Sequence, residues 1–131
     1  MILFCAGDLL WATRIKRTGD ALGVACRPVR TPQMLADRLG EGGASLLIID
    51  LDAPDPFPIL VDARALAPDL HVLCFAPHVR EDLIARARSL GAHQVLSRGA
   101  FDRGLGEILS KWSARGHDGV DALPSSRPDP G

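Results

Sequence analysis

No charge of one sign prevails in this sequence: 15 Lys and Arg stand against 16 Asp and Glu, a formal net charge of −1. A chain so balanced sets up no field to hold a polyanion or an anionic bilayer, so nucleic-acid binding loses its usual electrostatic basis. Long hydrophobic runs are missing as well. The apolar stretch Met1 to Ala6 is too short for the core of a secretion signal, has no basic leader and gives way to Gly7-Asp8. Nor does any segment approach the roughly 20 apolar residues of a membrane span. The expectation is a soluble, cytoplasmic protein with no membrane and no nucleic-acid partner.

Cysteine is scarce. Cys5, Cys26 and Cys74 are odd in number, widely spaced and each set within an apolar segment, which predicts buried free thiols rather than disulfides. No Cys/His pairs have metal-ligand spacing. His71, His78, His93 and His117 stand alone at predicted loop or helix ends, where a solvated surface role is the expectation. Nucleotide fingerprints are absent too: Gly7 begins no G-x-G-x-x-G, and there is no Gly-Lys-Ser/Thr loop.

What is present is an alternation. At 131 residues and 47% apolar composition, the chain has material for one core and one domain. Apolar runs of strand length recur at Ile2–Ala6, Val24–Val29, Ser45–Ile49, Val72–Ala76 and Gln94–Leu96, and the intervals between them have helical spacing. The first helix is predicted to turn Trp11, Ile15, Thr18 and Leu22 inward, with Asp8 as cap and Gly23 as stop. Thr31-Pro32 announces a second helix that ends at Gly40 with Met34, Leu35 and Leu39 on its apolar face. A third is predicted from Pro58 to Leu66, and a fourth from Glu81 to Leu90 with Gly91 as its stop. The fifth, Phe101 to Trp112, carries Leu105, Ile108, Leu109 and Trp112 inward, but Gly104 and Gly106 each cost roughly 1 kcal/mol and should soften its start. Trp11, Trp112 and Met34 read as packing residues. Beyond Trp112 the segment Ser113–Gly131 is rich in Gly, Pro, Ser and charge and reads as a disordered tail, so the domain is placed at residues 1–112.

Runs such as Leu46-Leu47-Ile48-Ile49 and Val72-Leu73-Cys74-Phe75 are continuously apolar, as parallel strands covered on both faces must be. Right-handed crossovers then give an α/β, doubly wound, five-stranded parallel sheet. Chemistry in such a sheet collects at the carboxyl ends of the strands, which directs attention to Gly7-Asp8, Asp50-Leu51-Asp52, Phe75-Ala76-Pro77 and Ser97-Arg98-Gly99.

The order and spacing of these residues over about 1–112 resemble the receiver domain of bacterial response regulators, the CheY-like, flavodoxin-like fold with strand order 2-1-3-4-5. The resemblance implies Asp50 as the phosphoacceptor position, with Asp8 from the acidic pair after strand 1, Pro54 beyond the aspartate, and Gly91-Ala92 as the turn closing helix 4. It also marks departures. Gly7 stands in place of the first acid, Phe75-Ala76 where the switch Thr or Ser belongs, and Arg98-Gly99 where the family has Lys-Pro. Mg²⁺ takes one or two carboxylates plus phosphate and water, so Asp8 and Asp50, with the backbone carbonyl of Asp52, are expected to bind it weakly or not at all. Phe75 lacks a hydroxyl to link phosphorylation to movement. Arg98 keeps a cation that would either clamp a phosphoryl group or hold Asp50 in an ion pair. Loss of the proline at Gly99 frees its loop, whereas three prolines in Asp52–Pro58 stiffen the one beside Asp50.

The expected role is therefore binding rather than catalysis: a stand-alone, atypical receiver (pseudo-receiver) acting through a protein partner, a histidine kinase or a downstream output protein. Arg80, Arg86, Arg88 and Arg103 mark the face of the fourth helix, fifth strand and fifth helix, through which receivers dimerise or dock, as a candidate homodimer surface. The competing expectation is an orthodox receiver that takes phosphate on Asp50 with Mg²⁺. A small-molecule-binding α/β domain is the third.

Overall fold

The computed structural model describes residues 1–117, with side chains through Ser113. Five strands and five helices alternate: β1 (Ile2–Cys5), α1 (Leu9–Leu22), β2 (Cys26–Pro28), α2 (Pro32–Glu41), β3 (Leu46–Asp50), α3 (Pro56–Leu66), β4 (His71–Ala76), α4 (Glu81–Ser89), β5 (Gln94–Ser97) and α5 (Arg98–His117). All strand pairs are parallel and the order is β2-β1-β3-β4-β5, so the chain is an α/β doubly wound sheet of the CheY-like type.

The continuous apolar runs behave as two-faced strands. Leu3, Cys5, Leu47, Ile49, Val72 and Cys74 pack with Leu35 of α2, Ile59, Leu60 and Ala63 of α3 and Ala87 of α4. The alternate residues Ile2, Phe4, Leu46, Ile48, Leu73 and Phe75 pack on the other face with Trp11 and Ile15 of α1 and Phe101, Leu105 and Leu109 of α5. The central strand β3 is buried along its whole length, Asp50 included. All three cysteines are buried and free. No helix among the described residues is long and apolar enough to cross a membrane.

Local signals place the helix ends. Asp8 Oδ1 accepts the Trp11 N–H at 2.9 Å, and Gly23 closes α1 with a φ of 72° in the left-handed region. Thr31 Oγ1 accepts the Met34 N–H at 3.1 Å, with Pro32 in the first turn of α2.

Several boundaries and faces differ from the sequence reading. In α1 the buried set is Trp11, Ile15 and Gly19, while Leu22 is exposed; a Cβ at Gly19 would lie 2.6 Å from Cys26 Sγ, so the missing side chain lets α1 sit down on β2. Helix α2 passes through Gly40 and stops at Gly42, whose φ of 80° suits glycine. Helix α3 starts at Pro56 rather than Pro58, because proline's fixed φ suits a first turn. The preceding Asp55 adopts a left-handed φ of 56°, a conformation Asp tolerates better than most residues. Helix α5 begins at Arg98, where Ser97 Oγ caps it by accepting the Ala100 N–H at 3.1 Å. It continues past Trp112 to His117, across the expected start of the tail, since no proline interrupts that stretch. The rest of the predicted tail, 118–131, lies outside the described residues.

Two histidines are not isolated. The rings of His71 and His93 stack at 4.9 Å between centroids, His71 stacks on Trp112 at 4.3 Å, and His93 Nδ1 accepts the Val72 N–H at 3.0 Å. The strand order brings the starts of β4 and β5 side by side, a proximity invisible in sequence.

Candidate functional site

The carboxyl ends of β1, β3, β4 and β5 bring together Gly7, Asp8, Asp50, Asp52, Phe75 and Arg98. Asp50 is the last residue of β3, in register with Phe75 of β4, and it is the buried charged residue among those described, at 1% exposure. Its carboxylate is held from two sides: Oδ2 accepts the Gly7 N–H at 3.0 Å and Oδ1 accepts the Asp52 N–H at 2.9 Å. Burial raises the pKa of Asp50 from its ordinary value, against the opposing pull of those two N–H donors and of the Arg98 charge.

Gly7 explains how a carboxylate fits there. A Cβ on residue 7 would come within 2.7 Å of Asp50 Oδ2 and 3.1 Å of the Ala53 nitrogen. The place of the resembled family's first acid is thus filled by the Asp50 carboxylate itself. No side chain at position 7 enters without displacing it. The loop beyond is tied back as well, with the Ala53 N–H on the Asp50 carbonyl and the Leu51 N–H on the Phe75 carbonyl, both 2.9 Å.

The cations do not sit on Asp50. Arg98 Nη2 donates to Asp52 Oδ2 at 2.9 Å, and Arg80, just before α4, places Nη1 3.7 Å from Asp52 Oδ1. Arg80 also forks onto Asp82, with Nε to Oδ1 and Nη2 to Oδ2 both at 3.2 Å. Asp52 therefore ties the β3–α3 loop to the β4–α4 loop and to the start of α5 through one side chain. Arg98 carries one loose end, a buried Nε with no hydrogen-bond partner among the described residues.

Phe75 turns into the α1/α5 layer. Its ring stacks on Phe101 at 4.1 Å and 3°, and meets Trp11 at 5.0 Å and 57°. The aromatic trio fixes α1 and α5 against β4 beneath the site. Of the four arginines expected on the partner face, Arg80 is engaged with Asp52 and Asp82, and Arg86 lies 4.1 Å over the ring of Phe57. Arg88 and Arg103 are exposed.

The side chains expected to hold Mg²⁺ already have protein partners. Asp8 spends one oxygen capping α1, both Asp50 oxygens take N–H donors, and the Asp52 carboxylate is matched by guanidinium groups. No group of three or more His, Cys, Asp or Glu side chains converges as a metal site among the described residues. The features that sequence reasoning missed are Asp52 as a side-chain acceptor and Arg80 as its second partner. A signal existed in the opposite charges of Asp52 and Arg98, which both follow strand ends on the same edge of the sheet.

No family model matches the sequence, and no curated protein is detectably similar to it. In three dimensions the chain is similar to the signal receiver domain of an HD domain-containing protein from Pseudomonas fluorescens, with a TM-score of 0.72, 18% identity and coverage of 89% of this chain and 96% of that one. It is similar to a CheY-like response regulator receiver domain protein from Methanospirillum hungatei, with a TM-score of 0.71, 16% identity and coverage of 90% and 96%. It also matches NtrX from Brucella abortus, crystallised with ADP, at a TM-score of 0.71 and 14% identity, covering 88% of this chain but 26% of NtrX. Against the isolated NtrX receiver domain the coverage of the partner rises to 98%. The fold is that of a receiver domain.

Proposed function

We propose that this chain is a receiver-fold signalling domain that acts by binding a protein partner, with phosphorylation of Asp50 weak or lost. The observation that carries the reading is the state of Asp50: 1% exposed, with each carboxylate oxygen already accepting a backbone N–H. A phosphoacceptor must present an oxygen lone pair to an incoming phosphorus, with metal and cation placed to take up the charge. Here one lone pair on each buried oxygen is taken by the Gly7 or Asp52 N–H and the cations face Asp52, while by the resemblance Gly7 stands where a metal ligand would be.

The partner is a histidine kinase or a downstream output protein, and the face of α4, β5 and α5, with Arg88 and Arg103 exposed on it, is the surface offered either to that partner or to a second copy. The test is incubation of wild type and Asp50→Asn with Mg²⁺ and a small phosphodonor, followed by intact-mass measurement. The expected spectrum shows no phosphoryl adduct on either protein. An adduct on wild type that Asp50→Asn lacks overturns the proposal and establishes the orthodox phosphoacceptor in its place.

A further inference from the structure

We propose that His93, His71 and Trp112 form a proton-operated latch: it holds the end of α5 beyond Leu109 against the starts of β4 and β5 while His93 is neutral, and releases it when His93 takes up a proton. The latch lies at the opposite end of the parallel sheet from Asp50, which closes β3.

Hydrogen bonding fixes where the proton can be. The His93 backbone N–H donates to the Val72 carbonyl at 2.9 Å, and the Val72 N–H donates to His93 Nδ1 at 3.0 Å. The register of β4 with β5 begins one residue later, at Leu73 and Gln94. The imidazole nitrogen thus stands in for a strand carbonyl where the two strands first meet. A ring nitrogen accepts only through its lone pair, so Nδ1 is bare and the neutral ring carries its hydrogen on Nε2. Protonation makes Nδ1 a donor and sets it against the Val72 N–H, donor to donor. The ring must then leave Val72.

That ring is also the outer plate of a stack. His93 lies on His71 with centroids 4.9 Å apart and planes 21° from parallel, and His71 lies on Trp112 at 4.3 Å and 20°. The Trp112 carbonyl accepts the Ser45 hydroxyl at 2.7 Å, and His71 Nε2 is 3.3 Å from Gln94 Oε1. Leu109, one turn earlier in α5, is fully buried and stays anchored in the core, so the part that the stack controls is the helix beyond it.

His93 as a residue is exposed, which lets protons reach the ring. Desolvation of the ring first, and then the Arg64 guanidinium of α3, hold its pKa below the ordinary 6.5. The remaining elements at this end contribute His71 from β4 and Lys111 from α5, the latter with Nζ 5.4 Å from the Trp112 ring. In the last turn of α4, Arg86 is turned onto Phe57 and Arg88 is exposed, as is Asp69 before β4. The Met1 ammonium before β1 donates to the Gly43 carbonyl. Because the folded pKa is the lower one, the folded chain binds fewer protons than the unfolded chain between the two values. The latch is closed above 6.5 and its stabilisation is lost as pH falls through the folded value. Helix α5 borders the face offered to a partner, so the regulatory meaning of the latch rests on the functional reading above; the latch itself rests on the ring geometry.

The test is NMR on the full chain, following histidine ring nitrogens and amide-exchange protection factors from above pH 6.5 to below the His93 titration. Above 6.5 the His93 ring should carry its hydrogen on Nε2. As His93 titrates, protection at Val72 and Ser110–Ser113 should fall about tenfold, the scale of one lost hydrogen bond with its stack. His93→Asn, whose amide oxygen accepts from Val72 without titrating, should keep that protection at every pH. His93→Ala should lack it at every pH, with circular dichroism verifying the fold of both variants. A hydrogen on Nδ1 above pH 6.5, protection that does not change as His93 titrates, or a loss that persists in His93→Asn overturns the proposal. Asp50 titrates alike in wild type and His93→Asn, so their comparison cancels it. A phosphoryl adduct on Asp50 in the phosphodonor assay would overturn the functional reading and leave the latch untouched.

Discussion

Asp50 and Asp52 are separated by one residue at the exit of β3 and are held by opposite means. Asp50 lies in the core, satisfied by backbone N–H groups, with no guanidinium among the described residues in hydrogen-bond contact. Asp52 lies at a partly exposed rim, satisfied by the arginine side chains that precede α4 and open α5. In the core a polar group must be fully paired because desolvation is expensive; at the rim water pairs whatever the protein does not. The same residue type thus becomes a rigid structural element in one place and an exchangeable one in the other. Substitutions around the two should differ accordingly.

The largest effect belongs to the layer under Asp50. Phe75→Ala empties the stack on Phe101 and Trp11 and should cost about 3–5 kcal/mol of unfolding free energy in urea denaturation. Phe75→Thr, which restores the hydroxyl of the resembled family, should fare little better, because threonine leaves most of the ring's volume against Trp11 and Phe101 unfilled. Loss of less than about 1 kcal/mol in both would mean that the trio is not packed as described.

Next comes Gly7→Ala. With the new Cβ 2.7 Å from Asp50 Oδ2 and 3.1 Å from the Ala53 nitrogen, the carboxylate must leave its Gly7 donor, at a cost of about 1–3 kcal/mol. The same substitution should change the chemical shift of the Asp50 carboxyl carbon. A neutral Gly7→Ala would remove steric exclusion as the reason for glycine there.

Asp50 should also be visible as a pH dependence. Its carboxyl pKa is raised in the folded protein by burial, so over the interval from the ordinary 3.8 up to the folded value the native state binds more protons than the unfolded one. Stability from this group is present below that interval and falls as pH rises through it. In Asp50→Asn the contribution is absent. Urea midpoints collected across the acid range should therefore show the wild-type advantage over Asp50→Asn shrinking with rising pH, and an advantage that grows instead would place the folded pKa below the ordinary one.

Much of this fold was legible in the sequence because its determinants are local. Leu46–Ile49 and Val72–Phe75 are apolar at every position, which only a doubly covered parallel strand requires, and Asp8, Thr31 and Gly23 act on backbone within a turn of themselves. The positions of Asp8, Asp50 and Arg98 at strand ends followed from that topology. The pairing among them did not. Whether Arg98 reaches Asp50 or Asp52 is decided by loop spacing across different strands, and Gly7 reads in sequence as a missing acid when its structural meaning is occupied space. Gly19 carries the same lesson for α1, where closeness to Cys26 outweighs the helical pattern that favoured Leu22.

The smallest effect is expected at Asp52, and it is the sharpest check on the contrast with Asp50. Asp52→Asn removes the carboxylate shared by Arg98 and Arg80, but all three groups reach solvent, and exposed pairs of this kind contribute under about 1 kcal/mol after screening and side-chain entropy. At about 0.15 M salt the screening length is near 8 Å, and about 1 M shortens it to 3 Å. Raising salt should therefore erase most of the stability difference between wild type and Asp52→Asn, measured by thermal unfolding at the two concentrations, while the deficit of Phe75→Ala persists. A deficit for Asp52→Asn that exceeds about 3 kcal/mol and resists salt would give the rim pair the energetics of a buried one. The loops would then be locked as firmly as Asp50 is, with no exchangeable carboxylate between the arginines.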